Sequence, residues 1–190
     1  MAWYRPAGAL MIGEANLIRT IFITLLLAAT VAAATAATAD QEEIPIIEIR
    51  KADGAVVARA ILWRVPNGVA VHVQAAGLPH GQYGVHIHAV GRCDAPGFES
   101  AGAHWNPGGR QHGKLNPQGH HLGDLDNLLV DAEGGRLEFT IPGMTLRGGA
   151  QPIVDADGAS LVIHADPDDY RTDPSGNSGV RIACGVLPAN

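Results

Sequence analysis

Val85-His86-Ile87-His88-Ala89, residues 85–89, alternates aliphatic and imidazole side chains. In an extended chain, side chains two apart share a face, so Val85, Ile87 and Ala89 enter a core while both imidazoles leave the opposite face. The alternation belongs to a strand over 83–90, and short runs of the same kind flank it. Upstream, Ile44-Pro45-Ile46-Ile47-Glu48-Ile49 reads as an opening strand whose Pro45 is best tolerated at a sheet edge. Residues 56–63 and 69–73 follow, separated by the turn Pro66-Asn67-Gly68. In the latter, Val69, Val71 and Val73 share one face, leaving His72 on the solvent face with Ala70 and Gln74. Downstream, strands are expected over 127–130, 136–141, 160–164 and 180–187. About eight short strands with glycine-rich turns (24 Gly in 190 residues) predict an all-β antiparallel sandwich or barrel.

Between these strands lies a long irregular stretch, 91–124, rich in Gly, His, Pro and Asn. A loop of that length needs something other than an apolar core to order it. His104, His112, His121 and Asp124 fall within 21 positions of it, and three imidazoles with one carboxylate make a tetrahedral set for zinc. A bound divalent ion supplies the ordering free energy that such a loop lacks. His-x-His at 86 and 88, and His164 at the end of its strand, are weak signals taken singly.

The first 39 residues read as a signal peptide. Arg19 precedes an uncharged run, 20–39, that ends in the small-x-small sequence Ala37-Thr38-Ala39. Met11 is an alternative start that shortens the charged part. An uncleaved membrane anchor is the competing reading, because about 20 apolar residues span a bilayer. The expected domains are thus 1–39, removed on export to the periplasm, and 40–190. Without Arg5, Arg19 and Glu14, the 13 Lys+Arg and 19 Asp+Glu become 11 and 18, a formal charge of −7. An acidic domain without Lys/Arg blocks argues against nucleic acid and, in the mature form, against an anionic membrane. Cys93 and Cys184 are the two cysteines, and in an oxidising compartment one intramolecular disulfide is the default.

The ordered series His86-x-His88, His104-Trp105-Asn106-Pro107, His112-Gly113, His121-Leu122-Gly123-Asp124, His164 and Gly179-Val180-Arg181-Ile182-Ala183-Cys184-Gly185 resembles the copper,zinc superoxide dismutases. The resemblance covers roughly residues 44–188, and Gly91-Arg92-Cys93-Asp94-Ala95-Pro96-Gly97-Phe98 looks like the bacterial exported branch. It implies an eight-stranded antiparallel Greek-key barrel of immunoglobulin-like sandwich architecture, with two long functional loops, 91–124 and 165–180. It further implies one copper and one zinc per subunit. Copper would be held by His86, His88, His104 and His164, and zinc by His104, His112, His121 and Asp124, with His104 a bridging imidazolate. Asp168 would hydrogen-bond His86 and His112 from outside the ligand set. His104 and Arg181 would be the catalytic residues, the first delivering a proton and the second guiding the anion. The Cys93–Cys184 bond would tie the loop after His88 to the strand carrying Arg181. The implied reaction is dismutation of superoxide to dioxygen and hydrogen peroxide. Monomer and homodimer both remain open.

Some positions depart from the family pattern. The 165–180 loop carries Asp166, Asp168, Asp169 and Asp173 against Arg171 alone, with Pro174-Ser175 where many members have lysine. Such a loop weakens long-range steering of an anion. Trp105 replaces the commoner phenylalanine, while His72, His80 and His120 match no ligand position. The alternative function is an exported copper/zinc carrier without enzyme activity, but a carrier must release its metal and has no use for Arg181. A dinuclear hydrolase is a third reading, disfavoured because such metals stand about 3.5–4 Å apart, closer than an imidazole bridge permits.

Overall fold

Strands form where the alternation places them, and the computed structural model, which describes residues 43–187 and residue 189, adds one break. The strands are β1 (Glu43–Arg50), β2 (Val56–Val65), β3 (Gly68–Ala75), β4 (Gly81–Tyr83), β5 (Val85–His88), β6 (Leu128–Asp131), β7 (Gly134–Pro142), β8 (Ala159–His164) and β9 (Arg181–Leu187). They make one antiparallel sheet in the order β4-β6-β7-β3-β2-β1-β9-β8-β5. The strand expected over 83–90 is interrupted at Gly84, which turns eight strands into nine. β4 pairs with β6 at one end of the order and β5 with β8 at the other. A single stretch of chain therefore touches both ends and nearly closes the sheet into a barrel. A β-carbon at Gly84 would stand 2.8 Å from that of Ser178, so only glycine fits the break. The pairings β3–β7 and β1–β9 join strands distant in sequence, the crossover pattern of a Greek key.

Pro45 is not on an edge strand, since β1 lies between β2 and β9. Its missing N–H is tolerated because the β1–β2 register is irregular between Ile44 and Ile47. Pairing of β1 with β9 is confined to Arg50 and Cys184, so that side of Pro45 behaves as an edge.

The barrel interior is filled by Ile44, Ile49, Leu62, Val69, Val73, Val85, Ile87, Leu161, Ile163 and Leu187, all fully buried. Each large aliphatic side chain contributes roughly 1.5–3 kcal/mol by leaving water. The opposite face of β5 and β8 is not solvated: His86, His88 and His164 are 0%, 1% and 3% exposed. The two long loops fold over that face. Val162 lies there in a second cluster with Phe98, Ala101 and Cys184. The expected Cys93–Cys184 disulfide is present, with Cα atoms 5.7 Å apart, and pins the first loop to β9. His80 is exposed, whereas His72 is half-buried with its Nε2 shielded. The expected signal segment, 1–39, lies outside the described residues.

Candidate metal centre

β5 ends the strand order, and the first loop covers its free edge. Trp105 N–H donates to the Ile87 carbonyl (2.8 Å), Ile87 N–H to Gly123 (2.9 Å) and Ala89 N–H to Ala103 (2.9 Å). This backbone pairing sets His104 across from His88 and Asp124 across from His86. The second loop is laced similarly, with Ala165 and Asp166 N–H donating to the carbonyls of Val180 and Ser178. Two irregular segments thus acquire fixed positions against a rigid strand.

His86, His88, His104 and His164 form one group, with one ring nitrogen from each lying within 4.8 Å of the others. Their outward nitrogens are engaged. His88 Nδ1 donates to the Gly102 carbonyl (2.9 Å) and His164 Nδ1 to that of Gly179 (3.2 Å). A carbonyl only accepts, so Nε2 of each ring carries the lone pair. His86 Nε2 meets Asp168 Oδ2 (2.9 Å), and His104 Nδ1 meets Asp124 Oδ1 (2.9 Å). The remaining nitrogens, His86 Nδ1 and Nε2 of His88, His104 and His164, are buried without a hydrogen-bond partner.

A second group surrounds Asp124. Nδ1 of His104, His112 and His121 stand 2.9, 3.0 and 3.1 Å from Asp124 Oδ1. The other oxygen, Oδ2, accepts from the N–H groups of Gly113 (3.0 Å) and His121 (3.1 Å). His112 Nδ1 is near that carboxylate but not aligned for a hydrogen bond to it. His86 also falls within 4.8 Å of His104, His112 and Asp124. Its only unengaged nitrogen already belongs to the first group, however.

Between the groups sits Asp168, 3% exposed, with Oδ2 on His86 Nε2 and Oδ1 on His112 Nε2 (3.0 Å). One carboxylate therefore orients a ring of each group. Asn127 holds Asp168 in turn: Asn127 Oδ1 accepts the Asp168 N–H (2.8 Å) and Nδ2 donates to its carbonyl (2.9 Å). Gly176 lies at φ 65°, and a β-carbon there would be 1.8 Å from Asp168 Oδ1, so any side chain would displace the carboxylate. Asp173 accepts the His112 N–H (2.6 Å). These three residues carry no periodicity or motif of their own; only Gly176-Asn177 inside an acidic loop hints at a tight turn.

Burial pushes His88 down to about 2, His164 to about 3 and His104 to about 4, helped by mutual repulsion with neighbouring rings. His86 is lowered by burial as well. For His112, burial also acts downward, but the carboxylates of Asp124 and Asp168 outweigh it and raise the ring to about 9. Asp124 and Asp168 are held below the usual carboxylate range: burial alone would raise them, but the surrounding imidazoles and N–H groups prevail.

Of the six buried side-chain nitrogen or oxygen atoms left unpaired among the described residues, five are ring nitrogens of this cluster. An orphaned buried nitrogen costs free energy unless something binds it. Neutral imidazoles with inward lone pairs suit divalent transition metals, and three of them with a carboxylate suit zinc. The residues present fit metal ions.

Arg181, half-buried, donates to the carbonyls of Phe98 and Gly102, each at 2.7 Å. Gly102 is the carbonyl that also holds His88, so guanidinium and ring share an anchor. Three of the four acids in the second loop are engaged within the fold. Asp168 meets the rings of His86 and His112, and Asp173 accepts the His112 N–H. Asp169 accepts from the Arg171 and Thr172 N–H groups, the Thr172 hydroxyl and the Asn177 amide. His120, the spare imidazole, turns Nδ1 to the His121 carbonyl (2.6 Å).

The family model described as copper/zinc superoxide dismutase (SODC) matches residues 58–187. Cu-Zn superoxide dismutase 2 of Aquifex aeolicus is 43% identical over 143 residues, covering 74% of this chain and 84% of that protein. The solved structure of a superoxide dismutase-like protein from Bacillus subtilis matches with a TM-score of 0.71 at 40% identity, over 75% of this chain and 97% of that one. Cu/Zn superoxide dismutase from Brucella abortus matches with a TM-score of 0.59 at 28% identity, over 77% and 100%.

Proposed function

The chain belongs to the copper/zinc superoxide dismutase family, and from that membership we propose that it converts superoxide to dioxygen and hydrogen peroxide. His86 Nδ1 and Nε2 of His88, His104 and His164 would hold copper, because these nitrogens converge, are buried and have no other partner. Nδ1 of His104, His112 and His121 with Asp124 Oδ1 would hold zinc. Bound copper supplies a one-electron redox couple, and bound zinc a fixed positive charge without redox change.

The chain's own residues do the rest. Arg181 presents a permanently charged guanidinium, steadied by two backbone carbonyls, to a small anion. His104 is the candidate proton donor. With Nδ1 committed to the Asp124 group, its Nε2 faces the first group, and a cation held at Nδ1 would make a proton at Nε2 easier to release. A proton at Nε2 can pass to the strongly basic anion that reduction of superoxide creates. Asp168 fixes His86 and His112 while this occurs. The observation that carries the reading is His104 itself, the ring with one nitrogen in each group. A carrier would gain nothing from sharing a ring between two ions.

The proposed location is the periplasm, supported by the uncharged run 20–39 and by a disulfide of the kind that persists in oxidising compartments. Superoxide removal by purified protein tests the function. Metal-free protein should be inactive, and loading with copper and zinc should give fast turnover. His164→Ala should lose more than about a hundredfold, beyond the usual cost of losing a mere outer partner. Tight binding of both ions without turnover would favour the carrier.

A further inference from the structure

Tyr170 belongs to neither group of ligands, yet its polar atoms reach both loops and the start of β6. Its backbone is left-handed, φ 61°, a conformation that aromatic residues adopt only where their surroundings hold them. In that conformation the Tyr170 N–H donates to Asp168 Oδ1 at 2.6 Å. Its hydroxyl accepts the Asn127 N–H at 2.8 Å. The carbonyl accepts from Leu115 N–H at 2.9 Å, and Gly113, adjacent to His112, has room for no β-carbon because that carbonyl oxygen would be 2.2 Å away. The Lys114 ammonium rests over the ring, 4.2 Å from its centroid.

These contacts converge on one carboxylate. Tyr170 reaches Asp168 directly through its own N–H, and indirectly through Asn127, whose side-chain amide clasps the Asp168 backbone at both N–H and carbonyl. Asp168 then orients His86 with one oxygen and His112 with the other. We infer that Tyr170 is a positioning residue for both metal groups at once, its hydroxyl setting Asp168 through Asn127 and so aiming His86 and His112 together. The inference rests on the reading that those rings hold copper and zinc.

Tyr170→Phe tests it, because the ring, the Lys114 contact and the backbone remain and only the hydroxyl goes. Tyr83→Phe is the control: that hydroxyl donates to the Pro79 carbonyl (2.9 Å) and touches no member of the cluster. Zinc affinity by chelator competition and the copper(II) electron paramagnetic resonance spectrum of the loaded full chain are the readouts. Loss of one hydrogen bond should weaken zinc about threefold to tenfold in Tyr170→Phe, with an altered copper spectrum. Tyr83→Phe should match the wild type in both. Unchanged zinc affinity and copper spectrum in Tyr170→Phe would overturn the inference, as would equal shifts in both variants, which would mean general loosening. A wild-type protein that binds neither ion would overturn the metal assignment and this inference with it.

Discussion

β5 and β8 present His86, His88 and His164 from a hydrogen-bonded ladder, whereas the irregular loop presents His104, His112 and His121 from turns gathered around one carboxylate. The strand-borne rings sit on the back of the core, so burial governs them: His88 and His164 are pushed down to about 2 and 3. His112 on the loop is equally inaccessible but lies between Asp124 and Asp168, and rises to about 9. The same side chain is held neutral against the core but cationic between two carboxylates, while His104, on the loop with one carboxylate partner, is kept neutral by burial. The strand-borne rings should therefore keep their places without metal, while at His112 an ion must displace the proton that two carboxylates attract.

The largest effect should come from removing the support common to both. Ile87→Ala empties a fully buried site between His86 and His88, and should cost about 2–5 kcal/mol whether or not metal is bound. Denaturant midpoints of both forms would check this, and a cost confined to one form would show that this support is not common to the two regions. Asp168→Asn comes next. By loosening His86 and His112 together it should weaken both ions, roughly tenfold to a hundredfold each. Competition titrations read that directly, and loss at one ion alone would show that the regions are independent.

A pH effect separates His112 from the other rings by sign. In metal-free protein, folded His88, His104 and His164 stay neutral, while the unfolded chain takes up protons below 6.5, so stability should fall as pH drops from there towards 4. His112 acts oppositely: its folded value near 9 exceeds 6.5, so its contribution is full below 6.5 and fades as pH rises through 9. Urea midpoints across this range should show a maximum between the two limbs. His112→Gln should flatten the alkaline limb alone; an unaltered alkaline limb would contradict the assignment.

Much of the barrel was legible because period-two alternation is a local signal, and every expected strand has its counterpart within a few residues. The break at Gly84 was not, because it depends on Ser178 in a loop far along the chain. Nor was the burial of the imidazole face, which alternation describes as wet until two loops cover it. At the site, His104, His112, His121 and Asp124 were legible as a set from their clustering in one loop, whereas the roles of His86, His88, His164, Asp168 and Arg181 came from the family resemblance. Asn127, Tyr170 and Asp173 act through backbone contacts, which almost any polar side chain could make on paper, and no pattern marks them. The acids of the second loop have a use that composition did not show: Asp168, Asp169 and Asp173 serve as acceptors within the fold.

Anomalous diffraction at the copper and zinc edges, from crystals of the doubly loaded protein, would locate each ion among these side chains. Copper is expected among His86, His88, His104 and His164, and zinc among His104, His112, His121 and Asp124, with the two nitrogens of His104 divided between them. Zinc bound through His86, or His104 bound to one ion only, would contradict this assignment.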